Sequence, residues 1–82
     1  MIVQVRFNSQ DLAGKLRDGE YELPDGATVA TLMETALREA STELTEQQQN
    51  NFVFVYDNSP ATYETKLRDG VKLRVMFKVL GG

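Results

Sequence analysis

Val29, Leu32, Met33, Ala36, Leu37 and Ala40 recur at i, i+3, i+4, i+7, i+8 and i+11, one apolar stripe on a helix of 3.6-residue period. Thr28 stands just before the stripe, where its hydroxyl can accept an otherwise unpaired backbone N–H as N-cap. Glu34, Thr35, Arg38 and Glu39 fall on the solvent side. A helix of this kind cannot stand alone and must bury its stripe against another element. The rest of the chain offers strands, so the helix is expected to lie across a sheet.

Ile2 to Phe7 alternates with period two and places Val3, Val5 and Phe7 on one face. Gly19-Glu20-Tyr21-Glu22-Leu23 alternates again until Pro24 stops it, and Asp25-Gly26 marks a turn. These two segments read as a hairpin with a long loop. Ser41 to Asn51 is polar and reads as a surface loop with room for another helical turn. Phe52 to Tyr56 is a strand apolar on both faces, and Asp57-Asn58-Ser59-Pro60 reads as a turn. The last strand alternates Val71, Leu73, Val75, Phe77 and Val79 inward with Lys72, Arg74, Met76, Lys78 and Leu80 outward, a pattern suited to a central position. Strand, strand, helix, strand, strand is the order of an α+β roll of the β-grasp, ubiquitin-like kind: a mixed β-sheet with one main helix packed across it. At 82 residues, positions 1–82 are expected to form a single β-grasp domain with a flexible C-terminal tail at 80–82.

One pentapeptide occurs twice, as Lys15-Leu16-Arg17-Asp18-Gly19 and as Lys66-Leu67-Arg68-Asp69-Gly70, each ahead of a strand. The residues after the two copies differ, which favours shared turn chemistry over duplication. Asp-Gly would supply a positive-φ position in both.

Composition removes whole classes of function. Cysteine and histidine are absent, so there is no thiolate nucleophile, no imidazole base and no usual zinc ligand. No Asp-x-Asp-x-Asp calcium loop and no glycine-rich phosphate loop occurs. Glu20 with Glu22, and Glu34 with Glu39, read as solvated surface rather than as an acid–base pair. Net charge is −3, which argues against nucleic acid as main partner, although Lys66, Arg68, Lys72, Arg74 and Lys78 cluster late in the chain. The longest apolar run, Phe52 to Tyr56, is too short to span a bilayer, and no signal peptide is recognisable, so no membrane partner and a cytoplasmic location are expected. By itself the chain is expected not to be an enzyme.

Leu80-Gly81-Gly82 is the feature with chemistry in it. Two given positions would both be glycine only about 0.5 % of the time at an average usage of roughly 7 %. Without Cβ atoms such a tail can enter a channel too narrow for side chains and carry its carboxylate to a reactive centre.

Over nearly its whole length the chain resembles the MoaD/ThiS family of ubiquitin-like sulfur carriers. The resemblance rests on the opening strand Ile2 to Phe7 and on Leu23-Pro24-Asp25-Gly26-Ala27-Thr28-Val29 leading into the helix. It rests equally on Leu67-Arg68-Asp69-Gly70 before the last strand and on Gly81-Gly82. It implies a carrier cycle. An adenylyltransferase of the MoeB or ThiF kind would join the Gly82 carboxylate to AMP from ATP; a persulfide sulfur donor would then displace AMP and leave a thiocarboxylate. No cofactor is bound by the carrier itself, the ATP being used by the activating partner. The acceptor would be the molybdopterin synthase large subunit or another sulfur acceptor enzyme. Molybdopterin-synthase small subunits usually carry two prolines before the diglycine, where this chain has Phe77-Lys78-Val79-Leu80, and the family's usual acid after Asp-Gly is Val71 here. The length and long mid-loop nevertheless resemble MoaD more than the shorter ThiS, so molybdopterin biosynthesis is the expected pathway, with thiamine or another sulfur-transfer pathway as alternatives. A protein modifier using the same diglycine, or an interaction domain with an incidental tail, are the competing classes. The expected site is Gly82 as the reacting group, with Gly81, Leu80, Lys78, Phe77, Met76, Arg74 and Arg6 as docking residues and no metal.

Overall fold

The computed structural model describes residues 1–8 and 16–77, Phe77 by its backbone alone. Strands β1 (Ile2–Phe7) and β2 (Gly19–Glu22) come first, followed by helix α1 (Val29–Glu39) and the short helix α2 (Glu46–Asn50). Strands β3 (Phe52–Tyr56), β4 (Ser59–Ala61) and β5 (Lys72–Phe77) complete the order. The described strands form one mixed sheet ordered β2-β1-β5-β3-β4, in which β1 and β5 are parallel and the other neighbours antiparallel. The expected β-grasp roll is the observed fold, and β5 occupies the centre as its alternation indicated.

Alternation becomes two faces. Val3, Val5, Phe7, Tyr21, Phe54, Tyr56, Leu73 and Val75 are buried beneath α1, whose Val29, Leu32, Met33 and Ala36 close the core from above. The helix starts where expected. Thr28 and Thr31 exchange side-chain-to-backbone hydrogen bonds in a reciprocal cap, while Val29 N–H and Ala30 N–H donate to the carbonyls of Thr65 and Tyr63. The loop after β4 thus satisfies donors that the helix cannot. At the other end Thr42 N–H reaches Leu37 O and Ser41 N–H reaches Arg38 O, with Ser41 in the left-handed region at φ 51°. Thr35, read as solvent-facing, is half-buried because its hydroxyl bonds back to Thr31 O.

In the middle of the chain one reading holds and one changes. Within the polar stretch after α1, Thr45 caps α2 through the same reciprocal pattern, with Gln48 as partner. The turn read at Asp57-Asn58-Ser59-Pro60 is two residues shorter: Asp57 and Asn58 both take positive φ, and Ser59 already pairs with Tyr56. A two-residue connection with both φ positive matches the right-handed twist of its flanking strands and makes a tight hairpin. Pro60 fits because β4 is an edge strand.

The repeated pentapeptide performs one task at the two ends of β1. Leu16 and Leu67 enter the core. Asp18 Oδ1 accepts from Phe7 N–H at 2.8 Å, and Asp69 Oδ1 accepts from Ile2 N–H at 2.6 Å. Arg17 lies over the Tyr21 ring and Arg68 near the Tyr56 ring. Gly19 and Gly70 both take positive φ, as the shared turn chemistry required. Among the described residues no buried side-chain N or O atom lacks a partner.

Candidate functional site

Of the residues expected to carry function, Lys78, Leu80, Gly81 and Gly82 lie outside the described residues, as does the side chain of Phe77. The remaining three converge on the sheet face turned away from α1. Parallel pairing of β1 with β5 sets Arg6 directly beside Arg74, both exposed, and β5 carries Met76 two residues further along. On the outer side of β3, Val53 is the register partner of Met76 and Val55 that of Arg74, while Val55 also faces Pro60 of β4.

This face carries Val53, Val55 and Met76 beside Arg6, Lys72 and Arg74, with the exposed acids Glu20 and Glu22 of β2 at its other margin. Val53 retains 40 % of its surface in water, a high value for a valine on a formed strand. Lys72 and Arg74 stand between two open depressions, one of about 500 Å³ bordered by Arg6, Asp18 and Glu20 and one of about 300 Å³ bordered by Val55, Asp57 and Asn58. Sequence reasoning missed Val53, Val55 and Lys72 as parts of this surface. The available signal was β3 itself: a strand apolar on both faces, in a chain whose single long helix can cover only one.

A hollow of about 220 Å³ lies among Met33, Leu37, Leu44 and Tyr63. Tyr63 donates its hydroxyl to Gln49 O at 2.7 Å, and burial pushes its pKa above the usual tyrosine value. Among the described residues no group of three or more His, Cys, Asp or Glu side chains could hold a metal ion, and no helix is long and apolar enough to cross a membrane.

A parallel β1–β5 pair at the centre of a mixed sheet, with one helix packed across it, defines the ubiquitin-like β-grasp class. Within that class the chain is similar to SAMP1 from Haloferax volcanii, with a TM-score of 0.72, 19 % identity and all of both chains covered. A second structure of the H. volcanii small archaeal modifier protein 1 gives a TM-score of 0.70 at 18 % identity over 95 % of this chain and 98 % of that one. A protein described as subunit 1 of a molybdopterin converting factor, from Pyrococcus furiosus, gives 0.70 at 23 % identity over 96 % of this chain and 99 % of that one. No protein-family model matches the sequence, and no curated protein sequence does.

Proposed function

We propose that this chain is a sulfur carrier whose Gly82 carboxylate is the reacting group. The observation that carries the reading is the placement of β5. It is the central strand, and the sequence runs from its last residue, Phe77, through Lys78 and Leu80 into Gly81-Gly82. Arg6, Arg74 and Met76, the described members of the expected docking set, lie on β5, the strand from which the sequence continues to the diglycine, and on its parallel neighbour β1. Structural likeness to a molybdopterin converting factor subunit supports the same reading and favours molybdopterin biosynthesis among sulfur-transfer pathways.

The chemistry follows from the weakness of a carboxylate as an electrophile. A partner adenylyltransferase of the MoeB or ThiF kind forms the acyl-adenylate from ATP with release of pyrophosphate. The terminal sulfur of a persulfide attacks the acyl carbon and expels AMP, and reduction of the resulting acyl disulfide by a thiol frees the thiocarboxylate. The carrier contributes position and a leaving-group-activated carbonyl; every catalytic group and the ATP site belong to partners. Incubation with ATP, such an enzyme and a persulfide donor is expected to raise the intact mass by the difference between sulfur and oxygen, located at Gly82. Deletion of Gly82 should abolish that gain, and retention of the gain in the deleted chain would refute the assignment.

Likeness to a small archaeal modifier protein favours a second reading, in which the activated Gly82 is joined to a lysine amine of a target protein. An isopeptide-linked Gly82 remnant on target lysines in cell extracts is the expected signature of that activity.

A further inference from the structure

Leu37 belongs to the apolar stripe of α1, yet the core does not take it in. Val29, Leu32, Met33 and Ala36 close the inward side of the helix, whereas Ala30 and Leu37, one flank round, are only half-buried. That flank faces Leu44 and Tyr63, also half-buried, across the hollow of about 220 Å³. A wider depression of about 550 Å³ continues from it toward Thr42 and shares Glu34, Leu37, Leu44 and Gln49 as walls, so the two make one open groove. Its outer wall is lightly built. None of the residues of α2 is buried, and the wall is tied by Tyr63 Oη donating to Gln49 O at 2.7 Å and Gln49 Nε2 donating to Leu44 O at 3.4 Å.

These bonds also bear on what can fill the groove. They engage the polar atoms at its wall, and among the described residues no buried side-chain N or O atom lacks a partner, so none is left to orient a small molecule. The more enclosed part, at about 220 Å³, is also smaller than the roughly 300–1,000 Å³ of small-molecule sites. A cavity of about 150 Å³ holds a benzene ring, so this one has room for a single large aliphatic or aromatic side chain.

The rim sets the charge of that occupant. Glu34 and Glu43 line the groove, and the exposed Glu46 and Glu64 neighbour its lining residues in the chain, against Arg38 alone. Among the described residues none of these four acids forms an ion pair. Glu39 lies on the other flank of α1, where it holds Arg17, and Lys66 pairs with Thr28 ahead of the helix. Carboxylates on the rim repel phosphate and attract lysine and arginine. A second copy of the chain is a poor fit. Among the described residues its exposed large apolar side chains are Ile2 and Val53, which stand on the flat sheet and cannot enter a hollow between a helix and a loop.

We propose that the helix-side groove is a docking site for a segment of another protein. That segment inserts one large apolar side chain between Leu37, Leu44 and Tyr63 and sets lysine or arginine against Glu34 and Glu43. The inserted side chain supplies most of the affinity, and the rim charges speed and orient the encounter. Because the groove lies on the opposite side of the sheet from Arg6, Arg74 and Met76, it can be filled while those residues are engaged, and its use does not depend on the carrier reading.

The test selects binders to the full chain from a random peptide library and locates them by amide chemical shifts. Enriched peptides are expected to share a Leu, Ile, Met or Phe flanked by Lys or Arg, and to shift the amides of Ala30, Glu34, Leu37 and Leu44. Alanine at the anchor position should weaken binding about 10- to 100-fold. The Glu34→Lys, Glu43→Lys double variant, changed only at exposed positions, should bind about 10-fold more weakly at low salt and approach wild type at high salt. Leu44→Ala, checked by its melting curve, should weaken binding at either salt, while Arg6→Gln with Arg74→Gln should leave it unchanged. No enrichment, a consensus rich in Asp and Glu, or shifts confined to β1 and β5 would overturn the proposal. So would equal affinity of wild type and the double glutamate variant at low salt. Self-association of the chain that the same variant abolishes would assign the groove to a second copy and overturn it as well.

Discussion

Removing the carboxylates that hold the two ends of β1 should weaken the fold by independent, additive amounts. Asp18 accepts from Phe7 N–H in a partly buried setting, and Asp69 accepts from Ile2 N–H in an exposed one. A hydrogen bond to a charged group contributes about 1.5–3 kcal/mol, and water competes more effectively at the exposed site. Asp18→Ala is therefore expected to cost about 2 kcal/mol and Asp69→Ala about 1 kcal/mol. Five residues at about 3.3 Å each separate the two anchored amides, roughly 16 Å, which is beyond the range at which neighbouring substitutions couple. The double variant should accordingly lose about 3 kcal/mol, a large share of the 5–15 kcal/mol typical of a folded domain. Its midpoint would fall by about 12–24 °C at roughly 4–8 °C per kcal/mol for a chain of this size. Urea unfolding gives the free energies, and native-state amide exchange gives the location. Phe7 N–H should lose protection in Asp18→Ala but not in Asp69→Ala. Both alanine variants within about 0.5 kcal/mol of wild type, or unchanged exchange at Phe7 in Asp18→Ala, would show that the repeated pentapeptide does not clamp the strand.

Ser41→Gly should stabilise the chain by about 0.5–1 kcal/mol in the same urea assay, because Ser41 sits at φ 51° where glycine carries no Cβ penalty. Tyr63 has its folded pKa raised by burial, so its contribution is fully present below the unfolded tyrosine value of about 10 and is lost as pH rises through the folded value. As pH rises from about 10 through that folded value, stability should fall less steeply in Tyr63→Phe than in wild type; an equal slope would assign the alkaline loss to other groups.

Local pattern was enough for most of the architecture. The stripe from Val29 to Ala40, the period-two runs at Ile2–Phe7 and Lys72–Phe77, and the Asp-Gly pairs each state their structure through side-chain periodicity or backbone permissiveness, which neighbours in sequence already determine. Thr28 as N-cap belongs to the same group. Ser59-Pro60-Ala61 does not: three residues with no strand propensity become β4 only because the tight turn at Asp57-Asn58 folds them back onto β3. The outer face is a product of pairing as well. Arg6 and Arg74 are 68 positions apart in the chain, 74 less 6, and only the parallel register of β1 with β5 makes them neighbours.

The diglycine and the lack of cysteine and histidine are properties of composition, and they alone pointed to a carboxylate whose reactive partners lie elsewhere. Tertiary structure decided which residues share the outer face of the sheet. Because α1 can cover one side of the sheet and nothing among the described residues covers the other, Val53, Val55 and Met76 come to lie beside Arg6, Lys72 and Arg74. Which face an outward residue shares, and with whom, depends on strand order and register, quantities set by long-range pairing rather than by any local run of residues.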